Sequence, residues 1–467
     1  MKILFSNTHY QSKVEYTSLI SVVPPLDLAY CAALVRREIP HADVAIIDAN
    51  AERLTAEDHR NRIVAAKPDV LVITAAVYSI NSVRALLGSM SLSETTVVLM
   101  GPHGTALPEQ TLEEVPQLSV VVRGEPEQTV LELVSSIEHK TDWATVPGIA
   151  YRKESVYVET ERRPVQHNLD ALPFPARDLL PNDRYSSPFS DRVTSIQTTR
   201  GCPGRCTFCD SHLVFGPRTR TRNPGRVVDE MQECVEKWRV DYFAVIDHTF
   251  TASRTFVQEV CEQIIARGLH RKIRWVCNTR VDMLTDEMLS LMKLAGCLQI
   301  GIGIESADNA RLARVGKEID EDQIRNAIIR IKKHGIIAMG YSIVGFPDDT
   351  AERIIATGRK IRDFNPHTLQ LSFATPLPGT KLRRRCIEED RILSANWDDY
   401  VFLRRSIIRN DTLSTEELET LRRDIVRRFY LRTEKFIELA DLLLFRARVS
   451  YPAVARAAWK VLRNMAR

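Results

Sequence analysis

The chain has 467 residues, of which 44% are hydrophobic and 27% are charged, the proportions of a globular protein of two to four domains. Its formal net charge of +4 gives no strong attraction for nucleic acid. No run reaches the roughly 20 apolar residues that a membrane span needs. The amino-terminal Met1–Thr8 has the pattern of a strand rather than of a cleavable signal. We therefore expect a cytoplasmic protein that does not bind nucleic acid.

The first 140 residues alternate between short apolar runs and helical patterns, the latter at Leu26–Arg37, Asn81–Met90 and Glu127–Ile137. Strands alternating with helices indicate an α/β fold with a parallel sheet covered on both faces. Five strands favour a flavodoxin-like doubly wound domain over residues 1–145, with its ligand at the carboxyl ends of the strands. The expected strands are Ile3–Ser6, Val44–Ile47, Val70–Thr74, Val97–Met100 and Val120–Val122.

Residues 146–190 differ from the segments on either side. Gly148–Tyr151 and Ser155–Val158 have the pattern of a small hairpin, and the prolines that follow break regular structure, so we interpret the segment as a linker. Residues 191–380 then contain six strand–helix units, too few to close an eight-stranded barrel. We expect a partial (β/α)6 TIM-like barrel with active-site residues at the carboxyl ends of its strands. These strands are expected at Thr194–Thr198, Tyr242–Ile246, Ile273–Val276, Leu298–Ile304, Ala338–Val344 and Leu369–Phe373.

The last segment, residues 381–467, lacks strand patterns and is expected to be a helical extension. Ser414 precedes two acidic residues and predicts a helix start. Residues 442–467 contain six basic residues, no acidic residue and many apolar ones. Such a segment either packs on the barrel with a solvated basic face or makes peripheral contact with an anionic membrane surface. The sequence leaves both alternatives open.

Nine cysteines are present, and three of them, Cys202, Cys206 and Cys209, lie within eight residues. In a cytoplasmic protein such a group is typical of metal binding rather than of disulfides. Thiolates are the usual ligands of iron–sulfur clusters. Three ligands from one loop hold three irons of a cubane and leave the fourth iron open to an external ligand. The alternative is a structural zinc site, which is disfavoured because zinc prefers four protein ligands and no fourth cysteine is near.

The C-x3-C-x2-C pattern, with an aromatic residue before the last cysteine, resembles the signature of the radical S-adenosylmethionine superfamily. The resemblance implies a [4Fe–4S] cluster whose open iron binds the amino and carboxylate groups of S-adenosylmethionine. It also implies that an electron from an external donor such as flavodoxin or ferredoxin cleaves this cofactor to a 5′-deoxyadenosyl radical. In similar proteins, residues at the strand ends contact S-adenosylmethionine. The corresponding residues here are Phe208, Asp247, Arg280, Glu305, Ser306 and Gly345.

Two of these residues have expected roles. The planar fork of Arg280 matches a carboxylate, and Glu305 is an expected acceptor for the ribose hydroxyls. The alternative for each is a salt-bridged residue at the barrel rim, and the sequence does not separate the two.

Three segments near the strand ends of the first domain closely resemble the cobalamin-binding domain of B12-dependent radical S-adenosylmethionine enzymes, a group that includes the anaerobic magnesium-protoporphyrin cyclase and several C-methyltransferases. They begin at Pro24, Met100 and Val121. Many B12 proteins carry an Asp-x-His-x-x-Gly loop, but His9 lacks both the Asp and the Gly, so we expect cobalt without a histidine ligand. The alternative is a degenerate domain without corrin. The expected cobalamin contacts are Pro25, Thr74, Gly101, Pro102, His103, Gly104, Arg123, Gly124 and Glu125.

The resemblance favours transfer of a methyl group from cobalamin to a carbon centre of a small-molecule, tetrapyrrole or lipid intermediate. A radical cyclase or ring-rearranging enzyme that uses cobalamin without methyl transfer has the same domain order and stays open. Methylthiolation is disfavoured, because only Cys31 lies in the first 200 residues and the chain ends in helical patterns. A corrinoid-binding regulatory protein is the non-enzymatic alternative, against which the intact three-cysteine loop argues.

Overall fold

The computed structural model describes residues 1–8 and 21–441. Its first sheet consists of β1 (Lys2–Asn7), β2 (Asp43–Asp48), β3 (Val70–Thr74), β4 (Thr96–Met100), β5 (Val120–Val122), β6 (Ile149–Lys153) and β7 (Val156–Glu159). The strands are hydrogen-bonded in the order β2-β1-β3-β4-β5-β6-β7. Strands β1 to β5 are parallel, whereas β6 and β7 are antiparallel and form the edge. The flavodoxin-like doubly wound domain is thus confirmed, and the expected hairpin extends its sheet to Glu159.

Helices cover both faces of this sheet because its strands are apolar on both sides. One face carries α1 and α6, and the other carries α2, α3 and α5. The short helix α4 lies at the carboxyl edge, directly after β4. The helices are α1 (Leu26–Glu38), α2 (Ala56–Ala66), α3 (Ile80–Gly88), α4 (Pro102–Ala106), α5 (Pro108–Glu114) and α6 (Glu127–Glu138).

The segment between the two sheets is ordered and packs against both. The Tyr185 hydroxyl donates a 2.9 Å hydrogen bond to Asp48 at the end of β2. Phe189 stacks on Tyr242 at the start of a barrel strand, with ring centroids 5.9 Å apart. The interpretation of this segment as a linker therefore understates its role, since its aromatic residues join the two cores.

The second sheet contains six parallel strands, β8 (Val193–Ile196), β11 (Tyr242–Val245), β12 (Arg274–Thr279), β13 (Cys297–Glu305), β14 (Ile337–Val344) and β15 (Thr368–Phe373). They are ordered β15-β14-β13-β12-β11-β8, so β8 and β15 form the two edges of an open, partial barrel, as expected. A two-stranded ribbon, β9 (Thr199–Arg200) with β10 (Arg220–Thr221), follows β8 and was not expected from the sequence.

The helices of this unit pack outside the sheet, and their apolar residues form the largest core. Local signals fix their ends, as where Asp320 and Gln323 form a capping box at the start of one helix. The helices are α7 (Ser211–Phe215), α8 (Pro224–Trp238), α9 (Arg254–Ala266), α10 (Asp286–Leu294), α11 (Asn309–Arg314), α12 (Glu321–Lys333) and α13 (Ala351–Phe364).

The carboxy-terminal part has the helices α14 (Lys381–Glu388), α15 (Thr415–Tyr430) and α16 (Thr433–Asp441). Ser414 forms the expected cap, as a capping box with Glu417. Residues 389–413, however, contain no α-helix, only the short 3-10 helix Trp397–Asp399. They return to the first domain, where Trp397 and Tyr400 enter its core, and this long-range packing overrides the local pattern.

Within residues 1–8 and 21–441, no helix has the length and apolar character that crossing a membrane requires. The predictions for His9 and for the basic tail, residues 442–467, lie outside the described residues.

Candidate functional site

The three clustered cysteines lie in the loop between β9 and α7, at the carboxyl ends of the barrel strands. Neighbouring elements hold this loop through its backbone. The Thr207 N–H donates to the Val315 carbonyl at 2.9 Å, and the Leu382 N–H donates to the Thr207 carbonyl at 2.9 Å. His212 donates from Nε2 to the Cys202 carbonyl at 2.8 Å. The loop is therefore fixed by α7, by the end of α11 and by the start of α14.

Gly204 makes room where the thiols of Cys202 and Cys206 approach each other. A Cβ at this position would lie 3.5 Å from the Cys202 sulfur, 3.8 Å from the Cys206 sulfur and 3.0 Å from a terminal nitrogen of Arg280. Gly201 has φ +86°, and a Cβ there would lie 2.1 Å from the Arg218 carbonyl oxygen. Both glycines let the loop curl into a cradle with its thiols directed to one side. The donor set and the cradle fit a cubane cluster.

The described residues contain no group of three or more His, Cys, Asp or Glu side chains that meets at a point suited to one metal ion. The three thiolates of a cubane bind three different irons, so they need not meet at one point. Burial raises the pKa of the Cys206 thiol to about 11, while Lys317 and Arg280 act in the opposite direction. Ligation requires the thiolate, so cluster binding at this cysteine releases a proton.

A buried ion pair lies beside the loop, between Glu305 at the end of β13 and Lys317 after α11. Lys317 Nζ lies 2.5 Å from Glu305 Oε1 and donates to the Gly303 carbonyl at 2.8 Å. A Cβ on Gly303 would lie 2.2 Å from both Glu305 Oε1 and Lys317 Nζ, so only glycine admits the pair. Glu305 itself has φ +56°, a strained value for a residue with a side chain. Sequence reasoning found Glu305 and missed Lys317.

Arg280 and Asp247 are the other two charged residues at the barrel rim, and they differ in whether a side-chain atom stays available to a ligand. Arg280 pairs with Asp282 at 2.9 Å and 3.0 Å, but its third nitrogen points at Gly204 and the thiols. Asp247 is buried and accepts from the backbone N–H of Thr198 at 2.7 Å and from the Thr198 hydroxyl. Burial raises the pKa of Asp247 to about 6. The structure thus brings Arg280 to the cluster loop and uses Asp247 to fix the end of β8.

The predicted Gly345 begins a tight loop after β14. Its N–H and that of Phe346 donate to Asp349 Oδ2 at 2.8 Å and 3.0 Å, and Asp349 is held by the buried Arg311 at 2.6 Å. Phe346 in turn faces Phe208 of the cysteine loop, with ring centroids 6.4 Å apart. This arrangement connects Gly345 with Phe208. Sequence reasoning missed Arg311, which holds Asp349 in place.

Ser306 lies apart from the thiols. Its hydroxyl accepts from the Asp308 N–H at 3.2 Å and lies 3.5 Å from the Thr357 hydroxyl. These contacts lie toward α11 and α13, so the structure gives Ser306 a local role in the turn after β13.

Neutral polar side chains lie on the inner face of the open barrel. The Tyr341 hydroxyl of β14 donates to Asn278 of β12 at 3.2 Å, across Gly301 of β13 between them. A Cβ on Gly301 would lie 2.3 Å from Asn278 and 2.7 Å from Tyr341. Gln370 lies beside Tyr341 in the sheet register. The lumen below the charged rim therefore offers hydrogen-bonding groups without charge.

The predicted cobalamin contacts lie together along the carboxyl edge of the first sheet. The Thr74 hydroxyl donates to Asp27 at 2.7 Å, which joins the end of β3 to α1 directly after Pro25. The Thr105 hydroxyl accepts from the Gly124 N–H at 3.1 Å and donates to the Gly101 carbonyl at 2.9 Å. The loops after β3, β4 and β5 thus form one continuous edge.

Gly101 and Gly104 are required by the packing of the first domain itself. A Cβ on Gly101, which has φ +112°, would lie 2.6 Å from the Ala75 carbonyl oxygen, and a Cβ on Gly104 would lie 2.7 Å from Val121. Both glycines admit the protein's own packing rather than leave space for a ligand. Gly124, with φ +87°, has nothing within 4 Å of its Cβ position and does face open space.

His103, which follows the helix-starting Pro102, is fully buried, and neither ring nitrogen has a hydrogen-bond partner in the described structure. Burial, with the charge of Arg383, lowers its pKa to about 4, so the ring is neutral at pH 7. Trp397 from the carboxy-terminal segment packs edge-on against it at 4.7 Å. A neutral buried ring with two orphaned nitrogens is the feature of this edge that best fits a bound polar group.

Arg123 and Glu125 make protein contacts. Arg123 pairs with Glu159 of β7 and donates to the Thr160 carbonyl. Glu125 accepts from Arg220 at 2.5 Å and 3.2 Å and from the Gln166 N–H at 2.8 Å. To bind cobalamin as predicted, either side chain would have to give up contacts that it already makes within the protein.

A buried ion-pair network joins this edge to the cysteine loop. Arg200, two residues before Cys202, pairs with Glu127 at 2.5 Å and 3.1 Å and lies 3.5 Å from Glu125. Its guanidinium carbon lies 5.7 Å from the Tyr30 ring centroid, and the side chain is 3% exposed. Helix α4 of the first domain also packs against α7, which follows the cysteines. The two predicted cofactor sites are therefore neighbours across one interface.

Comparisons with known proteins agree with this geometry. The profile of the Radical SAM superfamily matches residues 196–361, and that of the B12 binding domain matches residues 16–134. An uncharacterized methyltransferase of Pyrococcus horikoshii is 34% identical over 89% of this chain and 89% of its own length. The anaerobic magnesium-protoporphyrin IX monomethyl ester cyclase of Rubrivivax gelatinosus is 32% identical over 92% of this chain and 78% of its own.

Two solved structures have the same fold. The radical S-adenosylmethionine methyltransferase TsrM of Kitasatospora setae, with cobalamin and a [4Fe–4S] cluster bound, gives a TM-score of 0.68 at 18% identity, over 83% of this chain and 75% of that one. The cobalamin-dependent S-adenosylmethionine radical enzyme OxsB gives 0.70 at 16% identity, over 99% of this chain and 80% of that one.

Proposed function

The chain belongs to the cobalamin-binding enzymes of the radical S-adenosylmethionine superfamily, and we propose that it transfers a methyl group to a carbon centre of a small-molecule, tetrapyrrole or lipid intermediate. Membership brings three cofactors: a [4Fe–4S] cluster, S-adenosylmethionine and cobalamin. When bound, the cluster supplies the electron that cleaves S-adenosylmethionine, and cobalamin supplies the methyl group.

The observation that carries the proposal is the adjacency of the two sites. Methyl transfer to a substrate radical needs the methyl donor and the radical source to reach the same carbon atom. Here α4, which begins at the cobalamin edge, packs on α7, which follows the cysteine loop. Arg200 and Glu127 fix the two parts in this arrangement from within the interface. A substrate in the open barrel would lie between them.

On the barrel side, we assign S-adenosylmethionine to the rim formed by Arg280, Glu305 and Lys317. The free nitrogen of Arg280 lies beside the thiols, so it is placed to donate to the carboxylate of a cofactor bound at the open iron. The ion pair uses Oε1 of Glu305, so the carboxylate retains a second oxygen that can accept from a ribose hydroxyl. Cys202, Cys206 and Cys209 are the proposed cluster ligands.

On the other side, we assign the corrin to the edge that contains His103 and Gly124. His103 offers two unpartnered nitrogens, and Gly124 leaves open space at its Cβ position. Because its pKa is lowered to about 4, His103 presents a neutral ring that can donate from one nitrogen and accept at the other.

The inner face of the barrel limits the chemistry of the substrate. Asn278, Tyr341 and Gln370 line it with amide and hydroxyl groups. Neutral hydrogen-bonding groups suit a substrate part that carries oxygen or nitrogen functions without a full charge. The small-molecule substrate is therefore proposed to place such a part in the lumen.

The runner-up function is radical cyclisation without methyl transfer. The 32% identity to the magnesium-protoporphyrin cyclase of Rubrivivax gelatinosus is the observation that favours it. The two functions differ in stoichiometry. Methylation of cobalamin by S-adenosylmethionine produces S-adenosylhomocysteine, whereas a cyclase needs only the cleavage that yields 5′-deoxyadenosine.

The test is anaerobic reconstitution followed by quantification of both products from S-adenosylmethionine with a deuterated methyl group. A methyltransferase forms S-adenosylhomocysteine in proportion to bound cobalamin, and a deuterated methyl group appears in the product of a supplied pathway intermediate. Formation of 5′-deoxyadenosine with no S-adenosylhomocysteine would favour the cyclase. Absence of both products, with a full cluster and bound cobalamin, would favour a regulatory corrinoid protein.

Two further parts of the proposal concern the cell. An external protein such as flavodoxin or ferredoxin is the proposed electron source, since the reaction consumes an electron from outside the chain. The proposed location is the cytoplasm, which is supported by the nine cysteines, all within the described residues, forming no disulfide.

A further inference from the structure

Exposed cations that lack side-chain partners among the described residues lie around the cysteine loop. Arg205 lies in the loop itself and is exposed. Two residues later, the Thr207 carbonyl accepts from the Leu382 N–H at 2.9 Å, which fixes the start of α14 beside the loop. Lys381, also exposed, is the first residue of α14 and therefore lies next to the cluster cradle.

The cations of α14 differ in their pairing. Arg383 turns inward and donates to the Tyr400 hydroxyl at 2.9 Å, and Arg385 pairs with Glu389 at 2.7 Å. Lys381 and Arg384 are three residues apart and share an exposed face of the helix. Neither makes a side-chain ion pair or hydrogen bond within the part of the chain that the structure describes.

Three further features set the charge of this surface. Arg218 is exposed, and its carbonyl lies against Gly201 of the loop. The amino-terminal end of α14 adds the partial positive charge of the helix dipole. Among the exposed acids, Glu318 lies near the loop, and Glu388, Glu389 and Asp390 lie at the far end of α14. The net charge of this surface is therefore positive beside the loop and becomes less positive toward the far end of α14.

We propose that Arg205, Arg218, Lys381 and Arg384 form the docking surface for a small acidic electron-transfer protein of the flavodoxin or ferredoxin kind. The proposal rests on the proposed function, because only a cluster in this loop gives such a partner a reason to dock here. One electron passes from the donor to the cluster, so the donor is oxidised and the cluster is reduced by one electron. Unpaired cations steer an acidic partner without first breaking ion pairs within the chain.

The test uses the reconstituted enzyme and a purified bacterial flavodoxin in its fully reduced form. The double variant Lys381→Glu/Arg384→Glu is compared with Arg271→Glu/Lys272→Glu, which makes the same charge change at exposed positions on the amino-terminal side of β12. Two quantities are measured against ionic strength: the affinity for oxidised flavodoxin by calorimetry, and the second-order rate of cluster reduction by stopped-flow absorbance.

At low salt, we expect the affinity for flavodoxin and the rate of cluster reduction of the α14 variant to fall roughly tenfold or more, and any fall in the control variant to be smaller. At high salt, both quantities should approach those of wild type. With excess dithionite, both variants should form wild-type amounts of 5′-deoxyadenosine. Equal losses in both variants, or none in either, would overturn the docking surface. If the α14 variant instead loses binding to anionic vesicles while keeping its affinity for flavodoxin, the surface contacts membranes and the proposal is wrong. Failure of cleavage with dithionite in wild type would contradict the proposed function itself.

Discussion

Breaking the Arg200–Glu127 pair should destabilise the interface between the two cofactor sites. Both side chains are buried, at 3% and 4% exposure, and they share two hydrogen bonds. Arg200→Met leaves Glu127 as an uncompensated buried charge, which costs about 3–5 kcal/mol. Glu127→Leu should cost less, because Arg200 still lies 3.5 Å from Glu125. The double variant should cost less than the sum of the two, because Glu127 is then not left as an unpaired charge.

The assay is urea unfolding of the four proteins in a double-mutant cycle. Because m for a chain of this size exceeds the roughly 1–3 kcal/mol per molar urea of small proteins, a loss of about 3 kcal/mol moves the midpoint down by less than about 1 M. Because Arg200 lies two residues before Cys202, the single variants should also retain less iron after reconstitution. Single variants within 1 kcal/mol of wild type, or fully additive losses, would refute the view that this pair holds the two parts together.

Three other outcomes are expected. Cys202→Ala should abolish both the cluster absorbance and 5′-deoxyadenosine formation, and a full cluster in this variant would show that the ligand assignment is wrong. The Cβ of a Gly303→Ala variant would lie 2.2 Å from Glu305 and Lys317, so this variant should bind S-adenosylmethionine at least tenfold more weakly in equilibrium dialysis. Gly88→Ala is the control, because its Cβ meets nothing closer than 3.9 Å, and it should bind normally. Burial raises the pKa of Asp247 in the folded state from 3.8 to about 6, so the folded state favours the protonated carboxyl. The wild-type protein should therefore lose up to about 3 kcal/mol of stability as pH rises from about 4 to about 7. The Asp247→Asn variant should lack this loss. If the stability of wild type and of the variant, measured by urea unfolding, changed equally with pH, the assignment would be wrong.

The sequence predicted those parts of the fold that depend on local signals. All five parallel strands of the first sheet and all six of the barrel lie where apolar runs indicated, because buried parallel strands are apolar on both faces. The three clustered cysteines were evident from their spacing alone. The capping box at Ser414 was likewise readable from neighbouring residues.

What sequence reasoning missed depends on contacts between distant residues. Lys317 reaches Glu305 only because the chain reverses through α11 and Gly303 leaves room for both groups. Glu125 looked like a cofactor contact, yet its partner Arg220 lies 95 residues away on β10. Trp397 lies in a segment expected to be helical and packs instead on His103 of the first domain. No short pattern in the sequence reports pairings over such distances.

Both cofactors must act at one interface of this chain, and electron paramagnetic resonance tests that requirement most directly. The enzyme is loaded with cob(II)alamin and reconstituted with iron and sulfide, and the cobalt signal is measured before and after reduction of the cluster. We predict that reduction speeds the spin relaxation of cob(II)alamin through magnetic coupling across the interface between α4 and α7. The Cys202→Ala variant should not show this change. A cobalt signal that is the same in both states of the wild-type cluster, or a chain that binds only one of the two cofactors, would contradict the account.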